Sequence, residues 1–277
     1  MSTTMLPSRE APVDKKTRNW RDSTSARRGL LGVLLLLAWQ VTVMVANVSP
    51  LLLPTPVDVG KALYEDTVSL EIVKTTGFTL RTLLVGTLLG MVIGLVFATL
   101  AVMSRWGHDF LGLIVAVLNP LPSIAILPLA MIWFGLTQTA IIVVILNSTI
   151  WPIALNADMG FRTVSPTLQR AARALGIRRF RMVVQVLLPA ALPHLLTVVR
   201  IAWAFGWRTV VAAELVFGVA GGSGGIGYYI NQSRYFLQTA RVFAGLVVIS
   251  FLGLLIEAAF GTVERRTIER WGMTKAH

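Results

Sequence analysis

The sequence contains no cysteine. Disulfides, thiolate metal sites and cysteine nucleophiles are therefore excluded. Histidine is scarce: His108, His194 and His277 lie far apart and form neither HExxH nor any other ligand spacing, so nothing points to a metal site. Charge is sparse as well, at 14% of 277 residues. No G-x-x-x-x-G-K-[ST] occurs, so the chain has no P-loop for ATP. The glycines at 221–225 (GGSGG) lack the lysine and the helix start of such a loop and read as a turn. No Ser/His/Asp set and no cluster of acids stands out, which speaks against an enzyme embedded in a membrane.

Apolar residues dominate instead, at 55%, with a mean hydropathy of +0.71. A soluble domain of this size fills a core with less. The apolar residues come in continuous runs of roughly 20, long enough to cross a bilayer as helices and unlike the alternating segments of a barrel. The expected fold is an all-α integral membrane protein with about six transmembrane helices, at 29–46, 78–103, 110–134, 138–157, 192–219 and 240–261. The net charge of +12 fits membrane topology and anionic lipid, not nucleic acid, because no aromatic RNA-binding motif accompanies it.

Residues 1–28 read as a polar cytoplasmic tail carrying Lys15, Lys16, Arg18, Arg21, Arg27 and Arg28. The span at 29–46 reads as an uncleaved accessory anchor. Residues 47–76 form an extracytoplasmic segment opened by prolines and rich in Asp58, Glu65, Asp66 and Glu71. The remaining five spans make a core over 77–263, interrupted by a loop at 158–190, and 264–277 is a basic tail with Arg265, Arg266, Arg270 and Lys275. Lys and Arg gather in both tails and in the 158–190 loop, so the positive-inside rule puts both termini on the cytoplasmic side.

Within the second span, Gly86, Gly90 and Gly94 share a face that suits close helix packing, either inside the chain or between copies. Arg105, His108 and Asp109 read as a polar turn. Pro120, Pro122 and Pro128 predict a kinked or broken third span. In the loop, Ser165-Pro166 is a helix start with serine as cap. Leu168, Ala171, Ala172 and Leu175 then form an apolar stripe, and Gly176 fits the left-handed residue beyond the helix end. A second amphipathic run places Phe180, Val183, Val184, Leu187 and Leu188 on one face, to lie at the membrane surface before Pro189 and Pro193 reset the backbone. Such a helix either packs as a plain surface element or offers small side chains to a partner.

This loop resembles the signature of the membrane subunits of bacterial ABC importers: Glu-Ala-Ala, three residues, Gly, nine residues, Ile, any residue, Leu-Pro. Here Ala171, Ala172, Gly176, Val186, Leu188 and Pro189 fall at that spacing, while Arg170 and Val186 replace the usual Glu and Ile. LPTP (53–56), LRTLLVG (80–86), PLPSIAILPLAMIWFG (120–135), WRTVVAAEL (207–215) and SGGIGYYI (223–230) are similar to the nitrate, taurine and alkanesulfonate branch, and the likeness runs from about residue 50 to Trp271. The resemblance implies a permease of the bacterial inner membrane that moves a small anion inward. Its cytoplasmic coupling helix, Arg170, Ala171, Ala172, Arg173, Ala174, Leu175 and Gly176, would dock on an ATPase dimer. It also implies an extracytoplasmic substrate-binding protein, a second permease copy, surrounding membrane lipid, no nucleic acid, and no cofactor on this chain, with ATP and Mg on the ATPase. A self-sufficient secondary transporter is the alternative, but no internal repeat supports it.

Ionisable residues in or near the spans are costly in hydrocarbon. Arg200, Arg241, Glu257 and Arg81 lie toward span ends and can snorkel, whereas Arg208 and Glu214 lie deeper. Two readings stay open for the deeper pair. They pair with each other or with Arg81 to lock helices, or Arg208 and Arg81 give the translocation path a positive potential.

Overall fold

The structure is a computed structural model that describes residues 24–217 and 224–270, with side chains from residue 27 to 263 within these. Lys15, Lys16, Arg18, Arg21, Lys275, His277, the end of the fifth span at 218–219 and most of the GGSGG turn lie outside the described residues. The chain forms two compact units, residues 1–48 and 49–277. The first contains α1, Thr24–Val45, a helix whose leucines at 30, 31 and 34–37 are exposed.

The second unit is helical, with no strand among the described residues. Its elements run α2 (Pro56–Val68), α3 (Glu71–Met103), α4 (Arg105–Leu118), a 3₁₀ turn (Ser123–Ile126), α5 (Leu127–Phe134), α6 (Gln138–Thr163), α7 (Pro166–Ala174), α8 (Phe180–Met182), a π turn (Val183–Leu187), α9 (Leu188–Phe217), α10 (Ile226–Tyr235) and α11 (Thr239–Arg270). Across both units, α1, α3, α6, α9 and α11 are each long and apolar enough to span a bilayer; α4 and α5 together make a sixth span or a re-entrant pair, bent by 85°. The bend falls where Pro120 and Pro122 withhold backbone donors.

Helices α3, α6 and α9 form the centre. Leu83, Ile141, Val144, Ile145, Val210 and Ala213 pack between them. The glycine series belongs to this contact inside the chain. A Cβ on Gly86 would come within 2.7 Å of Ile145 Cγ2, one on Gly94 within 2.7 Å of Ile153 Cγ2, and one on Gly90 would collide with Thr149. Glycines on one helix thus receive side chains four residues apart on the other, which brings the backbones close.

Several local expectations need correction. Arg105, His108 and Asp109 are the first turn of α4, where Ser104 Oγ accepts from the Gly107 N–H at 2.9 Å. Helix α6 runs to Thr163, so the segment from 158 is still helical. Ser165 precedes α7 without a side-chain cap; Gln169 instead donates to the Val164 carbonyl at 3.0 Å. The second amphipathic run is not a separate surface helix. It continues through the π turn into α9, with Met182, Val183, Val186 and Leu187 buried and Phe180 and Val184 exposed. The wider turn rotates the buried face, and the Leu188 N–H reaches back to the Val183 carbonyl while Pro189 has no N–H to give. Neither Pro189 nor Pro193 interrupts α9.

Candidate functional site

Three places carry the chemistry. The first is α7. Its helix ends in paired backbone bonds, Ile177 N–H to Ala172 O and Gly176 N–H to Arg173 O, both at 3.0 Å. Gly176 takes φ +79°, the left-handed position that this ending requires. Only Ala172 is buried on this helix; Leu168 and Leu175 are 46% and 81% exposed. Of the predicted apolar stripe, Ala172 therefore faces inward while Leu168, Ala171 and Leu175 face outward. Arg170, Arg173 and Ala174 are exposed beside it.

The second place is a cavity of about 410 Å³ at the 85° break. Asn119 and Ser123 come from the break, Asn147 and Ser148 from α6, and Arg208 and Thr209 from α9. Asn147 is oriented by its neighbours: its amide donates to Ser123 Oγ at 3.3 Å and its carbonyl accepts from Trp151 Nε1 at 3.0 Å. Arg208 is exposed and has no hydrogen-bond or carboxylate partner among the described residues. Irregular backbone at membrane depth is expected where it lines a cavity.

The third place fixes Glu214, which is fully buried. Thr79 Oγ1 donates to its carboxylate at 2.8 Å and the Gly227 N–H donates at 3.1 Å, while the Ile226 N–H donates to Thr79 Oγ1 at 2.9 Å. A Cβ on Gly225 or Gly227 would strike the Glu214 side chain, so glycine is required there for the start of α10 to close over the carboxylate. Glu214 thus ties α3, α9 and α10 without an arginine. Arg208, six residues away, faces the cavity, and Arg81 lines a separate open hollow with Glu71, Lys74 and Gly224. The three residues are not brought together.

Sequence reasoning missed three contacts. Tyr229 donates to the buried Asp66, and Arg241 pairs with Asp66 at 3.1 Å, joining α2, α10 and α11. Burial and the bond to Asp66 hold the Tyr229 phenol far above its usual range, so it stays a donor. Arg200 and Glu257, both assigned to snorkelling, pair across α9 and α11. An acidic residue in the amphipathic α2 was the available signal for Asp66; nothing local marked Thr79.

Residues 86–269 match the model of the binding-protein-dependent transport system inner membrane component. The chain belongs to this family. The permease is 32% identical over 87% of its length to the aliphatic sulfonates transport permease SsuC of Bacillus subtilis, covering 86% of that protein. It is likewise 32% identical to the taurine transport system permease TauC of Escherichia coli, over 86% of each chain, and 30% identical over 68% of its length to the nitrate import permease NrtB of Leptolyngbya laminosa, covering 66% of that protein. A solved inward-facing MetNI methionine ABC transporter shares the fold, with a TM-score of 0.58 at 23% identity, covering 70% of this chain and 94% of that one. The protein is thus an integral membrane permease subunit of an ABC importer. Its ATPase activity belongs to a separate subunit, and a substrate-binding protein delivers the cargo.

Proposed function

We propose that this permease carries a small oxyanion of the sulfonate, taurine or nitrate kind, and that the cavity at the helix break is part of its path. The observation that carries the reading is Arg208, an unpartnered guanidinium facing a cavity edged by hydroxyl and amide groups. A planar guanidinium matches the oxygens of a sulfonate or nitrate. One such cation attracts an anion without trapping it, as a path that must release its cargo requires. The names of the relatives above support the same substrate class.

Ile132 and Trp133, toward the far end of α5, are exposed apolar side chains. A second copy of the chain closes the path in this reading. Helix α7 meets a cytoplasmic ATPase dimer that binds ATP and Mg, and both termini lie on that side. Closure of the ATPase pair moves α7 and, through the π turn, α9 with Arg208.

The test is ATP-driven uptake of taurine, an alkanesulfonate and nitrate by proteoliposomes holding the full transporter. Arg208→Gln is expected to lower uptake of the transported anion about ten- to a hundredfold, the loss of one charge-assisted contact, while Arg208→Lys keeps part of it. Unchanged uptake by Arg208→Gln removes the cavity from the path.

A further inference from the structure

A groove of about 370 Å³ runs between the end of α3 and the segment that follows α7. Arg173, Arg178 and Arg179 line it, and Val102, Met103 and Leu187 are among its apolar lining residues. No carboxylate lines the groove, and Arg178 and Arg179 have no partner among the described residues. Arg179 also sits at φ +50°, a left-handed backbone conformation that non-glycine side chains rarely adopt. Farther along α3 lies a second cavity of about 210 Å³ whose lining is wholly apolar, with Met91 and Leu95 on α3, Ile153 on α6 and Leu192, Leu195 and Val199 on α9. On α3, Met91, Leu95, Ala98 and Val102 follow one another at four-, three- and four-residue steps and so lie on one stripe. Val102 lines the groove and Met91 and Leu95 line the second cavity, about 10 Å apart along the helix. Ala98 belongs to one buried cluster with Leu187, which lines the groove, and Leu195, which lines the second cavity.

We infer that this seam holds one anionic phospholipid, its phosphate against the arginines and an acyl chain in the apolar cavity. Both halves of such a ligand are matched, a negative head by guanidinium groups without counter-charges and a hydrocarbon tail by a lining without polar atoms. The groove begins at the last turn of α3, the end of a helix long and apolar enough to cross a membrane. An acidic protein segment would use the arginines but leave the apolar cavity without an occupant. The inference requires only that the chain spans a membrane, so it stands or falls separately from the anion path.

The test counts lipids retained per permease by native mass spectrometry, on the permease–ATPase complex extracted from membranes of phosphatidylethanolamine and phosphatidylglycerol. The wild type is expected to retain phosphatidylglycerol at least about fivefold above its share in the membrane, given the attraction of basic residues for anionic headgroups. Arg178→Gln with Arg179→Gln should return to the membrane ratio, and Arg178→Lys with Arg179→Lys should keep the preference. Val199→Phe, which fills the apolar cavity and leaves every arginine in place, should lose the retained lipid. Complex assembly with the ATPase checks that each variant is folded. Wild-type retention at the membrane ratio overturns the inference, as does an unchanged preference in the Gln pair or in Val199→Phe. A preference that emerges only once the ATPase has been stripped away makes the groove a protein contact and overturns it too.

Discussion

Helices α7 and α10 are nearly equal in length, nine and ten residues, and both lie between long spans of the same bundle. They are fastened in opposite ways. In α10, Ile226, Gly227, Tyr229, Ile230 and Ser233 are buried, and the helix is held through Glu214, Thr79 and Asp66. In α7 a single alanine is buried, and leucines and arginines face outward. Polar groups withdrawn from solvent must be satisfied, so where the polar atoms of a segment are buried and matched the segment is structural. Where apolar and charged side chains are left exposed, as on α7, the proposed coupling gives them to another molecule. Helix α9 repeats the contrast within one element, with Glu214 enclosed and Arg208 open to a cavity.

The contrast predicts opposite failures. The largest loss of stability is expected at the α10 fastening. Glu214→Ala leaves the Gly227 N–H without its acceptor and the Thr79 hydroxyl with only the Thr75 carbonyl at 3.2 Å, and should cost roughly 2–3 kcal/mol, while Glu214→Gln keeps an acceptor and should cost less than half of that. Thermal unfolding in detergent measures both, and equal melting of Glu214→Ala and wild type would separate the seam from stability. Gly90→Val belongs with it, because branched carbons placed against Thr149 force α3 and α6 apart, at about 3 kcal/mol or more. Reduced yield of folded protein is the readout.

At α7 the order reverses. Nothing lies within 4 Å of a Cβ built on Gly176, and aspartate tolerates a left-handed backbone better than most residues. Gly176→Asp should therefore change melting by no more than about 1 kcal/mol yet abolish ATP-driven uptake, because in the proposed coupling the new charge stands on the face that meets the ATPase. Normal uptake by this variant would remove the coupling role. The smallest effect is expected at Thr55→Ala. Thr55 and Asp58 form reciprocal cap bonds at the start of α2, and losing them should cost about 1 kcal/mol without changing transport at saturating substrate.

The spans, the broken third helix, α7 and the left-handed Gly176 were legible because each has a local cause: an apolar run, prolines, helix formers after Pro166, a glycine just past a helix end. The importer family was legible because its motif has fixed spacing. The partner of Glu214 was not, since Thr79 lies 135 positions away and only the α3–α9–α10 packing brings it close. The buried face after α8 was misread for a different reason: a helical period of 3.6 was applied across a π turn, and no sequence periodicity announces the wider turn. For the deep ionisable residues a position along the span was legible but a direction was not, and direction is what separates Glu214 from Arg208.

The most direct measurement uses the absence of cysteine. A single Ala174→Cys in the native host, with membranes crosslinked and the products identified, reports what α7 touches. An ATPase crosslinked at that position, with a yield that changes between nucleotide-free and ATP-trapped complexes, is the predicted result. A complex that purifies active with its ATPase bound yet gives no crosslink at Ala174 would contradict the assignment of α7 as the moving contact.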